Sequence, residues 1–226
     1  MVERVASGIE GLDDLIEGGF PKGSVTLITG GAGTGKTIFS SQFLWHGLQN
    51  GENCLFITLE EEPQEVKGDA EEFDWNFSNY EDENRFRIEY INPFEGRGFG
   101  NRIESLIDEI DADRVVIDST SVIGMYEEQE GKIRETLYEV VRMLRRSGVT
   151  SLITSEIPSD QEDALSRYGV EEFVSDGVIR LTGLHLGATS YRSIQVLKMR
   201  RTEIAESISQ LDISSDGIHI KSSEEL

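Results

Sequence analysis

Two kinds of hydrophobic pattern alternate along the first two thirds of this chain. Short runs of apolar and β-branched residues predict buried strands, and apolar residues at three- and four-residue spacing predict amphipathic helices. The predicted strands are residues 25–29, 53–59, 85–91, 114–118, 150–155, 177–181 and 193–199. This alternation indicates an α/β fold with a mainly parallel sheet and helices on both faces. The last strands have no helices between them, so we expect antiparallel strands added at one edge towards the C-terminus.

Glycine and proline mark where the predicted helices begin and end. Pro63 is suited to the first turn of a helix, and Gly51 and Gly148 are suited to the left-handed residue that follows a helix. The predicted helices are residues 36–50, 63–73, 103–110, 131–147 and 170–173. The predicted loops are residues 74–84, 93–101 and 157–168, and a hairpin turn is expected at residues 215–217.

The length of 226 residues suits one α/β domain, residues 1–226, with a frayed tail at residues 222–226. No apolar run approaches the length of about 20 residues that a membrane-spanning helix needs. The first residues lack the apolar core of a secretion signal, and the single cysteine, Cys54, cannot form an internal disulfide. These features together predict a cytoplasmic protein with a buried Cys54.

The charge is strongly negative, with 43 acidic and 21 basic residues and a net charge of −22. An acidic surface of this kind is typical of proteins from extreme halophiles, where molar salt screens the self-repulsion. The alternative is an acidic surface that binds a basic partner. Because the acidic residues are spread over the chain, we favour adaptation to salt. Either interpretation argues against DNA as a partner, since binding a duplex needs a positive surface.

Residues 30–37 match the phosphate-binding loop pattern Gly-x-x-x-x-Gly-Lys-Thr. A predicted strand precedes the loop and a predicted helix follows it, which is the context the mechanism requires. Glycines let backbone N–H groups point at an anion, and Lys36 can reach the β- and γ-phosphates of a nucleotide. Thr37 offers a hydroxyl group to Mg²⁺. The expected nucleotide-binding residues are Gly31, Ala32, Gly33, Thr34, Gly35, Lys36, Thr37 and Ile38.

Three carboxylates follow predicted strands at the edge where open α/β sheets bind their ligands. Asp118 ends an apolar strand and is expected to hold Mg²⁺ through water. Glu60 and Glu61 end another strand, and one of them is expected to orient or deprotonate the attacking water. Two adjacent carboxylates disfavour joint ionisation, which makes one of them more basic. The alternative for each glutamate is a solvated acidic turn before a helix.

Two cations, Lys198 and Arg200, lie at the end of the predicted strand 193–199. Alternation along a strand makes them point the same way. In so acidic a chain they need an anionic partner. That partner is either a surface carboxylate or the nucleotide of a neighbouring subunit, where such a cation stabilises the transition state.

These motifs together resemble the KaiC-type branch of the RecA superfamily of ATPases, over about residues 4–221. The segments that carry the resemblance are residues 7–13, 30–37, 56–61, 116–119, 167–176 and 196–200. The resemblance implies a RecA-like fold that binds ATP and Mg²⁺ between the subunits of a ring, commonly a hexamer. It also implies that Glu60 and Glu61 are the catalytic pair and that Asp118 is the Walker B residue. Lys198 and Arg200 would then reach the phosphates of the next subunit.

The chain also departs from that family. KaiC itself has two such domains in tandem, whereas this chain has one. The phosphoacceptor pair of the clock protein corresponds here to Glu172-Phe173, which argues against autokinase activity. The glycine and histidine that usually follow the Lys-Met-Arg run are absent, and residues 201–204 read Arg-Thr-Glu-Ile instead.

The sequence therefore predicts a KaiC-like ATPase that hydrolyses Mg·ATP slowly, and whose nucleotide state controls oligomerisation or the binding of a signalling partner. One alternative is a DNA-dependent recombination ATPase of the RadA kind, although the candidate DNA-binding loops at residues 127–130 and 159–163 are acidic. Another alternative is a nucleotide-gated binding module with negligible turnover.

Overall fold

The computed structural model describes residues 2–93, 98–125, 129–161, 163–186 and 189–221. The tail predicted at residues 222–226 lies outside these ranges, as do parts of the expected loops at 93–101, 127–130 and 157–168. The strands are β1 Arg4–Val5, β2 Phe20–Pro21, β3 Val25–Gly30, β4 Cys54–Thr58, β5 Phe86–Tyr90, β6 Arg114–Asp118, β7 Thr150–Glu156, β8 Gly177–Leu186, β9 Thr189–Met199, β10 Ser209–Ser214 and β11 Gly217–Lys221. The helices are α1 Leu12–Leu15, α2 Lys36–Gln49, α3 Pro63–Glu71, α4 Phe77–Asp82, α5 Phe99–Ile110, a 3₁₀ turn Thr120–Gly124, α6 Glu130–Ser147 and α7 Glu171–Val174.

Nine of the described strands form one sheet in the order β11-β10-β9-β8-β3-β7-β6-β4-β5. The six strands from β8 to β5 in this order are parallel, whereas β9, β10 and β11 are antiparallel to their neighbours. This arrangement confirms the predicted α/β fold, including the antiparallel strands towards the C-terminus. A separate two-stranded sheet pairs β1 with β2, and the sequence analysis did not foresee it.

Helices cover both faces of the sheet and enclose two hydrophobic clusters. Helix α2 lies against the cluster that contains Phe43 and Phe56. Helices α5 and α6 cover the other cluster. All of the predicted residues are buried: Ile103, Leu106, Ile107 and Ile110 in α5, and Ile133, Leu137, Val140, Val141 and Leu144 in α6. Met143 of α6 is buried as well and was not predicted. Cys54 is buried, as expected. No helix in the described ranges is both long and apolar enough to cross a membrane.

The prediction of a loop at residues 74–84 is wrong, because α4 occupies residues 77–82. Phe77 is buried and stacks on Phe86 with ring centroids 4.4 Å apart, and the Trp45 ring meets Phe77 edge-on at 5.7 Å. These contacts come from residues distant in sequence and stabilise a helix that the polar local sequence does not predict. Helix α5 likewise begins at Phe99, inside the loop expected at residues 93–101.

The end of the sheet opposite the phosphate-binding loop contains a buried cation, Arg114, whose side chain is 2% exposed. Its guanidinium pairs with Glu52, donates 2.9 Å hydrogen bonds to the carbonyl oxygens of Ala6 and Phe43, and lies 4.5 Å from the centre of the Phe43 ring. A Cβ atom at Gly47 would lie 2.6 Å from the Arg114 Nε, so glycine is required there. This arrangement joins β6, α2 and the N-terminal segment.

We expect Glu52→Gln to lower the free energy of unfolding by about 1–3 kcal/mol, because it leaves a buried guanidinium without its carboxylate. The measurement is denaturant unfolding in molar KCl. The control is Glu83→Gln, since Glu83 pairs with Arg85 at 3.5 Å on the surface and its loss should change the stability by less than about 0.5 kcal/mol. Equal effects of the two substitutions would contradict the role given to Arg114.

Candidate functional site

The predicted phosphate-binding loop lies between the end of β3 and the start of α2. Gly33 and Gly35 have φ angles of 70° and 99°, a left-handed conformation that favours glycine. Thr34 Oγ1 donates a 2.9 Å hydrogen bond to the Gly31 carbonyl oxygen, which closes the loop. In the described part of the chain no side chain caps the N-terminus of α2. Its first N–H groups and the helix dipole are therefore available to an anion.

The ammonium group of Lys36 lies over this loop. Its Nζ atom donates to the carbonyl oxygens of Gly30 at 3.0 Å and Gly31 at 2.8 Å. Burial lowers the pKa of Lys36, while Glu156 and Asp118 oppose that shift. A partly desolvated cation beside exposed backbone N–H groups suits the terminal phosphates of a nucleotide.

Asp118 lies directly beside Thr37, as the sequence predicts. Its Oδ2 atom accepts a 2.7 Å hydrogen bond from the Thr37 hydroxyl, and its Oδ1 atom accepts one of 2.5 Å from the Thr154 hydroxyl. Hydroxyl and carboxylate oxygens fit Mg²⁺, which prefers oxygen ligands and takes few of them from the protein when phosphate supplies others. Within the described ranges no group of three or more His, Cys, Asp or Glu could hold a metal ion.

The two predicted catalytic glutamates follow β4 at the same edge. The Glu60 carboxylate accepts a hydrogen bond from the Ser119 hydroxyl, and the Thr58 hydroxyl donates to the Glu61 carbonyl oxygen at 2.7 Å. A small cavity of about 30 Å³ is lined by residues that include Thr37, Glu60, Glu61 and Asp118. A cavity of this size and polar lining can hold at least one water molecule. The structure thus brings the predicted magnesium ligands and the predicted bases together.

Glu61 is a carboxylate whose surroundings favour its protonated form. Partial burial raises its pKa above the ordinary value of 4.5, and the negative charges of Asp118, Asp69 and Glu60 raise it further. A raised pKa makes a carboxylate a better proton acceptor near neutral pH. The negative charge of Glu60 is among the causes of this shift, as expected for adjacent carboxylates.

Lys198 and Arg200 do not lie in the phosphate site of their own chain. Lys198 Nζ donates to the carbonyl oxygens of Glu172 at 2.8 Å and Ser175 at 2.7 Å. Arg200 forms a 3.3 Å ion pair with Asp176, which also pairs with Arg145 at 2.9 Å. A carboxylate of the same chain was one of the two alternatives, but Asp176 is largely buried, with its side chain 14% exposed, and does not lie on the surface. The other alternative, the nucleotide of a neighbouring subunit, stays a prediction.

The sequence analysis missed Glu156, which ends β7 beside the phosphate-binding loop. It lies opposite Gly30 in the parallel register of β3 and β7, and it is the strongest carboxylate attraction on Lys36. Its N–H group donates a 2.7 Å hydrogen bond to the Ser121 hydroxyl. The available signal was its place after an apolar run, the same signal that identified Asp118. The predicted strand ended one residue too early to include it.

The chain is similar to proteins of known family. The family model described as the KaiC ATPase matches residues 5–225. A UPF0273 protein of Methanopyrus kandleri is 36% identical over 239 aligned residues, which cover 97% of this chain and 92% of the relative. The circadian clock protein KaiC3 of Synechocystis is 35% identical over 89% of this chain and 42% of its own length. The crystal structure of a KaiC-like protein from Pyrococcus horikoshii has a TM-score of 0.90 and 39% identity, and covers 98% of this chain and 100% of its own.

We expect Glu61 to titrate above 4.5, and Asp69→Asn to lower its pKa, because the substitution removes a negative charge near a partly desolvated carboxylate. Carbon-detected NMR of the glutamate carboxyl groups measures the titration. The control is Glu135→Gln, an exposed carboxylate on α6. A Glu61 pKa at or below 4.5 in the parent would contradict the assignment.

Proposed function

Because this chain belongs to the family of KaiC-type ATPases, we propose that it binds Mg·ATP and hydrolyses it slowly. The observation that carries the proposal is the meeting of three features at one edge of the sheet: the glycine loop with Lys36, the Thr37–Asp118 pair, and the two glutamates beside a small cavity that can hold water. A fold alone would not support an activity, since RecA-like and other α/β folds serve many functions.

The phosphate-binding loop and Lys36 bind and orient the polyphosphate. The N–H groups of residues 31–38 and the N-terminus of α2 supply fixed positive charge, and the Lys36 ammonium exchanges its two carbonyl partners for phosphate oxygens. Thr37 and Asp118 would hold Mg²⁺, which supplies charge neutralisation on the phosphates when it is bound. Thr154 keeps the Asp118 carboxylate oriented through its hydroxyl group.

Glu61 is the group proposed to accept the proton of the attacking water, with Glu60 beside it. The raised pKa of Glu61 suits this role, and the hydrogen bond from Ser119 orients the Glu60 carboxylate. A positioned base of this kind contributes about 10²–10⁴-fold to a rate. Phosphoryl transfer also depends on positive charge at the phosphates. In one chain Lys36 supplies that positive charge. Turnover would stay slow without further positive charge at the phosphates.

We propose that a neighbouring subunit supplies the additional charge through Lys198 and Arg200. The Arg200 side chain is 53% exposed even in its pair with Asp176, so it remains accessible to a neighbouring subunit.

Nucleotide bound between subunits of a hexameric ring would then link hydrolysis to assembly and to the binding of a signalling protein. A cytoplasmic location and adaptation to high salt stay predictions. A nucleotide-gated module with negligible turnover differs from this proposal only in rate.

We expect the double variant Glu60→Gln/Glu61→Gln to lose at least about 100-fold in phosphate release while its affinity for Mg·ATP stays within about twofold, because the substitutions remove the base and leave the loop intact. The measurements are phosphate release and nucleotide binding in molar KCl. The exposed pair Glu71→Gln/Glu72→Gln is the control, since it removes the same charge from the far end of α3. Turnover at the parent rate in the glutamate-pair variant would refute the assignment of the base.

We expect Mg·ATP to promote a larger assembly, with a hexamer as the predicted state, because the nucleotide would complete the contact between subunits. Light scattering after size exclusion, with and without Mg·ATP in molar KCl, measures the mass. Arg200→Ala should weaken the assembly and leave the fold intact. A monomer at every nucleotide concentration would contradict the ring and leave the binding of ATP by one chain as the surviving part of the proposal.

A further inference from the structure

A fully buried carboxylate, Glu171, lies outside the phosphate site and has no role in the chemistry described above. It is 0% exposed and begins helix α7 in the connecting segment, residues 166–175, which follows the polar stretch after β7. Three serines near it, Ser155, Ser166 and Ser175, are also buried. A carboxylate is rarely buried completely in proteins, and its partners show what it holds in place.

Four groups from two elements converge on the Glu171 carboxylate. On one oxygen, Oε1 accepts a 3.0 Å hydrogen bond from the Ser155 hydroxyl of β7. On the other, Oε2 is contacted by the Ser166 hydroxyl at 2.8 Å and by the N–H groups of Val170 at 3.2 Å and Tyr168 at 3.3 Å. The Glu171 side chain therefore joins three residues of the connecting segment to one another and, through Ser155, to the end of β7.

Burying a carboxylate costs several kcal/mol unless its oxygens accept hydrogen bonds, and a well-packed apolar side chain would give comparable stability. Hydrogen bonds, unlike apolar contacts, fix direction and distance. The hydrogen bonds to Glu171 therefore fix the position of the residues that make them, and one of these residues, Ser155, lies near the end of β7. Ser155 is the residue before Glu156, the carboxylate that lies beside Lys36.

The connecting segment also contacts the chain that leaves Asp118. The Tyr168 hydroxyl donates to the Ser121 carbonyl oxygen and accepts a 3.0 Å hydrogen bond from the Gly124 N–H group. A Cβ atom at Gly124 would lie 2.5 Å from the Tyr168 ring, so the two residues are in close contact. The Ser121 hydroxyl in turn accepts the 2.7 Å hydrogen bond from the Glu156 N–H group. One segment therefore contacts the end of β7 and the 3₁₀ turn that follows β6.

We propose that Glu171 is a positioning residue of the ATPase site: through Ser155 and Tyr168 it holds the ends of β7 and β6 so that Glu156 and Asp118 face the phosphates in a fixed geometry. This inference rests on the proposed ATPase function. The connecting segment also positions Lys198, because the carbonyl oxygens of Glu172 and Ser175 at its other end accept hydrogen bonds from the Lys198 ammonium group. Displacement of a positioned group by about 1 Å costs on the order of 100-fold in rate.

The test is Glu171→Gln, which keeps the size of the side chain and replaces one accepting oxygen by a donor. We expect kcat for ATP hydrolysis to fall about 10- to 100-fold, with KM within about twofold, because the phosphate-binding loop is untouched. Tyr168→Phe should lower kcat by a smaller factor. The double variant should fall no more than about threefold below Glu171→Gln, since both residues act through one arrangement.

The matched control is Glu52→Gln, which removes the carboxylate partner of Arg114 at the opposite end of the sheet and should lower stability without changing kcat of the folded protein. Circular dichroism confirms that each variant is folded at the assay temperature. A Glu171→Gln protein that is folded and turns over within twofold of the parent would overturn the inference alone. A parent with no turnover above a Lys36→Ala background would overturn the proposed function and the inference together.

Discussion

The site depends on one constraint, which is that the carboxyl ends of parallel strands meet at the same edge of a sheet. Strands β3, β4, β6 and β7 are neighbours in this sheet and run in one direction. The residues that follow them, although far apart in sequence, are therefore brought to one place. The phosphate-binding loop follows β3, the glutamate pair follows β4, Asp118 ends β6 and Glu156 ends β7.

Hydrogen bonds at that edge fix the polar groups before any ligand binds. Asp118 accepts from two hydroxyl groups, and Lys36 donates to two carbonyl oxygens. Such preorganisation matters because groups that are already oriented need no rearrangement when charge develops on a phosphate. The network around Glu171 extends the same principle outward, from the residues proposed to meet the nucleotide to the segment that supports them.

Patterns of neighbouring residues predicted the elements that depend mainly on local sequence. The apolar runs gave the strands and the stripes of α5 and α6, and the spacing of Lys36 and Thr37 after the glycines gave the loop. Long-range contacts account for the failures: α4 is stabilised by Phe86 and Trp45, and no local signal marks it. Burial of Arg114 and Glu171 could not be foreseen either, since charged residues are usually exposed and only the fold supplies their partners.

The central claim is that the loop of residues 30–37, with Lys36, binds the polyphosphate of a nucleotide. Its most direct test is the affinity of Lys36→Ala for Mg·ATP, measured by titration calorimetry in molar KCl beside Lys22→Ala, which removes an exposed lysine on the surface. We expect at least about tenfold weaker binding for Lys36→Ala, because a charged hydrogen bond contributes roughly 1.5–3 kcal/mol, and parent affinity for Lys22→Ala. Equal affinities of Lys36→Ala and the parent would contradict it.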